Sequence, residues 1–283
     1  MRRRVYCEYI CRVCFWGAGF FVVGILAIIL GLLIYRGGGA LSWEFLTSEP
    51  KGLFLGTAGG IFPAILGTFS LLAIATVAAA FPALLVSIYI VEYGNGAWFA
   101  KFCNYVVQSM VGIPSILIGL FGYSCFVVYL GFGISLLAGG LTLSVMIFPT
   151  VTVLMRDALK AVNGEYRLIG EILGVSKGYI LKKVILPEAS PNLLSAVLLA
   201  MGYAAGATAP IMVTAAVILT RGGISLHNPV MALPFHLYIL FSQHVSIERA
   251  YGTALVLVLM LLCINSLSQY LRYRYEKRVT HFD

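Results

Sequence analysis

The stretch VCFWGAGFFVVGILAIILGLLIY, residues 13–35, holds 23 residues without a charge. As an α-helix it would rise about 35 Å, enough to cross a hydrocarbon core of about 30 Å. Arg12 and Arg36 flank it and would meet the two membrane surfaces. The basic start, Met1 to Arg4, gives the N-terminus a leader-like look. The apolar run is too long for the core of a secretory leader, and no A-x-A-like site follows, so it reads as a retained first helix.

Five further runs have the same character, at 62–91, 105–130, 132–155, 191–220 and 251–271. Of the 283 residues 60% are hydrophobic and 11% charged, whereas soluble domains carry about a quarter charged. The reading is an all-α polytopic membrane protein with six transmembrane helices. An even number puts both termini on one side. With that side cytoplasmic, only Arg36, Lys51, Arg221 and Arg249 of the 19 Lys and Arg fall outside, leaving 15 inside. That asymmetry is the positive-inside pattern. The basic residues behind the net charge of +8 sit mostly between the apolar runs, so that the charge calls for no nucleic-acid partner. The chain divides into 1–61 (N-terminal tail, first helix and outer loop), 62–272 (helices two to six) and 273–283 (a cytoplasmic tail).

Cys7, Cys11 and Cys14 form a C-x3-C-x2-C cluster with no histidine nearby, and Cys103, Cys125 and Cys263 lie far off. They read as reduced thiols, with no metal bound. Outside the membrane, NPVMALPFHLYILFS at 228–242 is too short and too broken by proline to span. It reads as a helix lying on the surface, with His236, like His227 and His244, solvated or interfacial.

The inner connection RDALKAVNGEYRLIGEILGVSKGYILKKVILP, residues 156–187, reads as two short helices joined at Gly174, with Ser176 capping the second. Leu168, Ile169, Ile172 and Leu173 make an apolar stripe at helical spacing, and Arg167 stands one turn from Glu171 as a possible pair. Such a stripe needs something to cover it, either the protein's own helices or a partner.

The order of Gly174, nine residues, Val184, one residue, Leu186 and Pro187 resembles the cytoplasmic signature of the permease subunits of ABC importers. GGIFPAILGTF (59–69), VEYG (91–94), VQSMVGIPSILIGLFGY (107–123) and MALPFHLYI (231–239) resemble, in order, the phosphate-uptake type of that family. The resemblance implies the type I importer permease architecture in the bacterial cytoplasmic (inner) membrane, with the loop as a coupling helix. It implies an ATPase dimer that binds ATP and Mg, a second permease chain, an external substrate-binding protein and surrounding lipid as partners. This chain would then need no cofactor of its own, and it contains no G-x-x-x-x-G-K-[ST] loop.

Carried onto this sequence, the coupling residues are Glu165, Leu168, Gly170, Glu171, Leu173, Gly174, Val184 and Pro187. The family often has Glu-Ala-Ala where Leu168, Ile169 and Gly170 stand, and Glu165 or, better, Glu171 would supply the acidic contact. In the fifth helix the family pattern resembles G-R-A-x-G-E-T-A-P, and here Tyr203 and Ala207 replace its Arg and Glu. Gln108, Ser109, Ser115, Tyr203, Ala207 and Thr208 are the candidates for lining a pathway, with Pro114 after Gly112 interrupting the third helix. Gly202 and Gly206 would let two helices approach closely, within one chain or between two. The expected activity is ATP-driven import of inorganic phosphate, with another oxyanion or small solute carried by the same kind of importer as the alternative. A self-sufficient secondary transporter or channel would show embedded charges or a repeated half, and a membrane enzyme would show clustered His, Asp, Glu or Cys. Neither pattern is visible.

Overall fold

The computed structural model describes residues 2–51, 58–94, 96–218 and 225–279, with side chains between 11 and 274. Helix α1 (Arg2–Gly37) leads through a short turn to α2 (Trp43–Thr47), capped by Ser42, whose Oγ accepts from the Phe45 N–H. Strands β1 (Pro50–Lys51) and β2 (Ala58–Gly59) pair as a small antiparallel ladder. Then come α3 (Phe62–Ile88), prolonged by a π-turn to Tyr93, and α4 (Trp98–Val111). Next are α5 (Ser115–Gly122), prolonged as a π-helix to Tyr129, and α6 (Leu136–Lys160). Two short helices follow, α7 (Glu165–Ile172) and α8 (Lys177–Ile180), the latter running through a π-turn at Leu181–Ile185 into α9 (Leu186–Ala205). The series closes with α10 (Ala209–Thr214), α11 (Leu233–Ser242) and α12 (Ile247–Val279).

Among the described residues five helical stretches are long and apolar enough to cross a membrane: Cys11–Ala40, Phe62–Tyr93, Leu136–Lys160, Lys177–Ala205 and Ile247–Arg274. The third expected span, 105–130, is not one straight helix. Trp98–Val111 and Ser115–Tyr129 meet at 103°, because Pro114 withholds an N–H and Gly112 ends the first helix. The fourth begins at Leu136 rather than at 132, where the Ser135 Oγ accepts from the Ala138 N–H. The fifth starts earlier and stops earlier than 191–220. It runs unbroken from Lys177 to Ala205, breaks over 206–208, and resumes as α10 for six residues. Residues 219–220 of that expectation, Arg221, and the Cys7 side chain lie outside the described residues.

The centre of the fold is the contact of α3 with α6. On α3 the buried face is made of small and branched residues, Ala64, Thr68, Leu72, Ala75, Ala79 and Ala83, repeating each turn. Small residues allow helix backbones to close in where lipid supplies no hydrophobic drive. Leu143, Ile147 and Val151 of α6 fill against them, and the Ser87 hydroxyl lies 2.9 Å from the Thr152 carbonyl across the seam. Helix α1 buries none of its apolar window in this chain. It touches α12 chiefly where Gly37 lies against the Tyr251 backbone.

The segment expected to lie on the surface is instead packed inside. The Thr68 hydroxyl accepts the Leu233 N–H at 2.9 Å, and a Cβ on Gly67 would strike the Met231 carbonyl oxygen. This notch in α3 admits the chain at 230–236, so Leu233, Phe235 and His236 are buried. His227 and His244 are exposed as expected. Burial first, and the Arg249 guanidinium second, lower the His236 imidazole to about 4.

Candidate functional site

α7 starts where Asn163 holds the chain, its Oδ1 accepting from the Glu165 N–H at 3.0 Å and its Nδ2 donating to Glu165 Oε2 at 3.3 Å. The helix has two unlike faces. Gly170 is buried so closely against Ile180 that a methyl there would meet the Ile180 side chain. On the other face Leu168, Ile169, Ile172 and Leu173 are exposed, Ile172 at 75% and Leu173 at 70%. The stripe therefore does not fold back on this chain. Gly174 ends the helix with φ +68, a left-handed conformation that favours glycine, while the Val175 N–H bonds back to Gly170 O. Ser176 holds the N-cap position of α8 through its carbonyl alone, which accepts from the N–H groups of Tyr179 and Ile180, and its side chain makes no cap bond.

The expected pairing of Arg167 with Glu171 is not formed. Arg167 points inward from α7, where its Nη2 donates to Glu92 Oε1 at 2.6 Å and to the Leu159 carbonyl at 2.9 Å. Its Nε lies 3.1 Å from both Glu92 oxygens, and its Nη1 donates to the Val162 carbonyl at 3.1 Å. Glu171 turns outward, 62% exposed, with Lys177 Nζ at 4.0 Å. Below α7 a second apolar cluster of Leu159, Val162, Ile180, Ile185 and Ala189 joins the ends of α3, α6 and α9, and Val184 packs into it. Pro187 sits exposed at the start of α9, where it cannot donate to the preceding turn. The π-turn at Leu181–Ile185 precedes it, with the Leu186 N–H reaching back five residues to the Leu181 carbonyl.

The helices that follow the two breaks, α5 and α10, pack on each other. Gly119 of α5 lies so near Pro210 of α10 that an added Cβ would stand 2.9 Å from the Pro210 Cα. Gln108 and Ser109 are exposed on α4, and the Ser109 Oγ donates to the Tyr105 carbonyl. Ser115 opens α5, half-buried. Tyr203 is 56% exposed on the last turn of α9, and Thr208 is half-buried in the break. Ala207 does not share Tyr203's open face. The helix has ended between them, and Ala207 packs on the core beside Thr68, Ile211 and Pro234. Gly202 faces Asn265 of α12 in the same chain.

Reading residues alone missed Glu92 and Asn104, and placed His236 at the surface where the structure buries it. Glu92 is an acid at the end of a long apolar run, which was the available signal. Asn104 accepts from Arg156 Nη1, a contact between α4 and α6 with no local trace in the sequence. Cys11 and Cys14 are exposed free thiols.

Comparison with known proteins finds relatives over most of the chain. A family model described as binding-protein-dependent transport system inner membrane component matches residues 83–281. The phosphate transport system permease protein PstA 1 of Mycobacterium tuberculosis is 29% identical over 264 residues, 91% of this chain and 86% of that protein. The probable phosphate transport system permease protein PstA of Methanocaldococcus jannaschii is 34% identical over 209 residues, 73% of each chain. Among solved structures, an inward-facing MetNI methionine ABC transporter has a chain that superposes with a TM-score of 0.62 at 19% identity. It covers 76% of this chain and 97% of that one, a likeness of fold.

Proposed function

This chain belongs to the binding-protein-dependent transport system inner membrane components, the permease subunits of ABC importers, and from that premise we propose that it moves inorganic phosphate across the bacterial cytoplasmic membrane. It does so as one of two permease chains, with an external binding protein delivering the ion. The work is large, since bringing an anion into a negative-inside cell costs about 2.3 kcal/mol per charge per 100 mV. ATP and Mg are bound and used on a separate ATPase dimer, as this chain has no phosphate-cradling loop of its own.

The observation that carries the coupling part is the exposed apolar face of α7, held in place by Arg167 on its inner side. Leu168, Ile169, Ile172 and Leu173 are the groups an ATPase groove would cover, with Glu171 and Glu165 at its rim and Gly170, Gly174, Val184 and Pro187 shaping the support. In this reading α7 and both termini are cytoplasmic, which follows the distribution of Lys and Arg. Gln108, Ser109 and Ser115 by the α4–α5 bend, and Tyr203 and Thr208 by the α9 break, offer hydroxyl and amide groups to a passing anion without a fixed charge.

The phosphate part is supported by likeness to proteins named as phosphate permeases over most of the chain. Tyr203 and Ala207, standing where that type resembles Arg and Glu, favour a second reading in which another oxyanion is carried. The test is to purify the chain with its bound ATPase, reconstitute both with the matching binding protein, and measure ATP hydrolysis with phosphate, sulfate and molybdate. Stimulation by phosphate alone supports the first reading, stimulation by another anion the second, and absence of any ATPase from the preparation defeats both.

A further inference from the structure

We infer that Arg167 is a positioning residue for energy coupling, setting the seat of α7 on α3 and α6 so that force on the exposed face of α7 reaches the bent α4–α5 pair. This rests on the importer reading above. The guanidinium offers five N–H donors in a planar fork. Four are engaged: Nε with the Glu92 carboxylate, both protons of Nη2 with Glu92 and the Leu159 carbonyl, and one of Nη1 with the Val162 carbonyl. The Leu159 carbonyl belongs to the last turn of α6 and the Val162 carbonyl to the turn just past its cap, where helix carbonyls have no partner within the helix and a cation is favourable. The Glu92 side chain, only 9% exposed, belongs to the π-turn that closes α3.

One side chain on α7 therefore grips the ends of two other helices. Since α3 and α6 share the main seam of the core, α7 cannot tilt without either breaking these bonds or moving that pair. Near the same end of α6, Arg156 donates to Asn104 on α4. α4 is the arm that leads into the 103° bend. The contacts thus run from α7 through α6 to the bend, and the groups that would touch an ATPase lie on the opposite face of α7 from Arg167. A lysine at 167 keeps the charge but cannot hold a carboxylate and two carbonyls in one plane.

The test uses the complex with its ATPase and binding protein in proteoliposomes, comparing wild type, Glu92→Gln, Arg167→Lys and the double variant. The expected result is that all four keep the ATPase bound. Each single variant hydrolyses about fivefold or more ATP per ion imported, as expected for loss of a coupling free energy. The double variant is no worse than the more severe single, as befits partners in one contact. Amide exchange over residues 165–172 should rise about fivefold or more in both singles, with the α6 core at 143–151 unchanged. This readout needs no turnover. A wild-type ATP-to-ion ratio in both singles, multiplying effects in the double, unchanged exchange over 165–172, or release of the ATPase by Glu92→Gln would each overturn the proposal. Failure of the wild-type chain to hold an ATPase would instead overturn the importer reading on which it stands.

Discussion

Arg167 and Glu92 are 75 positions apart in the chain, and the Nη2 of one lies 2.6 Å from the Oε1 of the other. The pair closes the gap between a short surface helix and the last turn of a long apolar one. Removing the acid leaves a largely covered guanidinium with only its carbonyl bonds. Glu92→Ala should lower unfolding stability by about 2 kcal/mol, the scale of a lost charge-assisted hydrogen bond. Thermal unfolding in detergent checks this, with Lys101→Ala, an exposed residue, as the neutral control.

The stripe on α7 makes a sharper demand. Leu173→Asp puts a charge on the exposed apolar face, and Gly174→Val forces a β-branched side chain into φ +68. The double variant should insert in the membrane at normal levels yet bind its ATPase at least about tenfold more weakly, a change of about 1.4 kcal/mol. Co-purification against a titration of the ATPase measures it.

At the contact of the two broken helices, Gly119 has no room for a side chain beside Pro210. Gly119→Val should cost about 1–3 kcal/mol of stability by overpacking. It should also reduce uptake while leaving the ATPase bound, because α5 and α10 are remote from the exposed face of α7. Uptake and co-purification measured on the same preparation separate the two effects.

Tyr203 and Ala207 differ in what they tolerate. Tyr203 is more than half exposed, so Tyr203→Arg should fold at near wild-type yield. Ala207 packs against apolar core residues, and Ala207→Glu should cost about 3 kcal/mol, as for an acid placed inside a membrane helix. Fluorescence-detected size exclusion distinguishes them. Equal yields would remove the assignment of Ala207 to the core side.

His236 predicts a pH dependence. Its pKa falls from 6.5 to about 4 on folding, so below pH 6.5 the unfolded chain takes up a proton that the folded one refuses. Stability is full above 6.5 and declines as the pH falls from 6.5 toward 4. His236→Leu should flatten the unfolding temperature over that interval, and an unchanged slope would show that His236 is not its source.

Much of the fold was legible in the order of residues. The runs at 13–35, 62–91 and 251–271 became helices because continuous apolarity longer than a bilayer has few other solutions. The turn at Gly174 was legible because a left-handed residue between two amphipathic stretches is a local property of the chain. The 103° angle at Gly112–Pro114 was not: Pro114 announces a break, while its direction depends on α6 and α10 on either side. The break at 206–208 was hidden for the same reason, since Gly206 and Pro210 sit in a run whose hydropathy never falters.

By itself the sequence determined that this chain lies in a membrane, which loops carry the positive charge, and where a small two-faced helix interrupts the apolar runs. Those follow from transfer energies and from the 3.6-residue period, which act over one helix at a time. Only the tertiary structure decided that Arg167 meets Glu92 and not Glu171, that His236 is buried in the notch beside Gly67 and Thr68, and that Ala207 turns away from Tyr203. In a chain this apolar, every face of a helix looks alike to lipid and to protein, and partners far apart in sequence are chosen by close packing and by the few polar groups that must find one another.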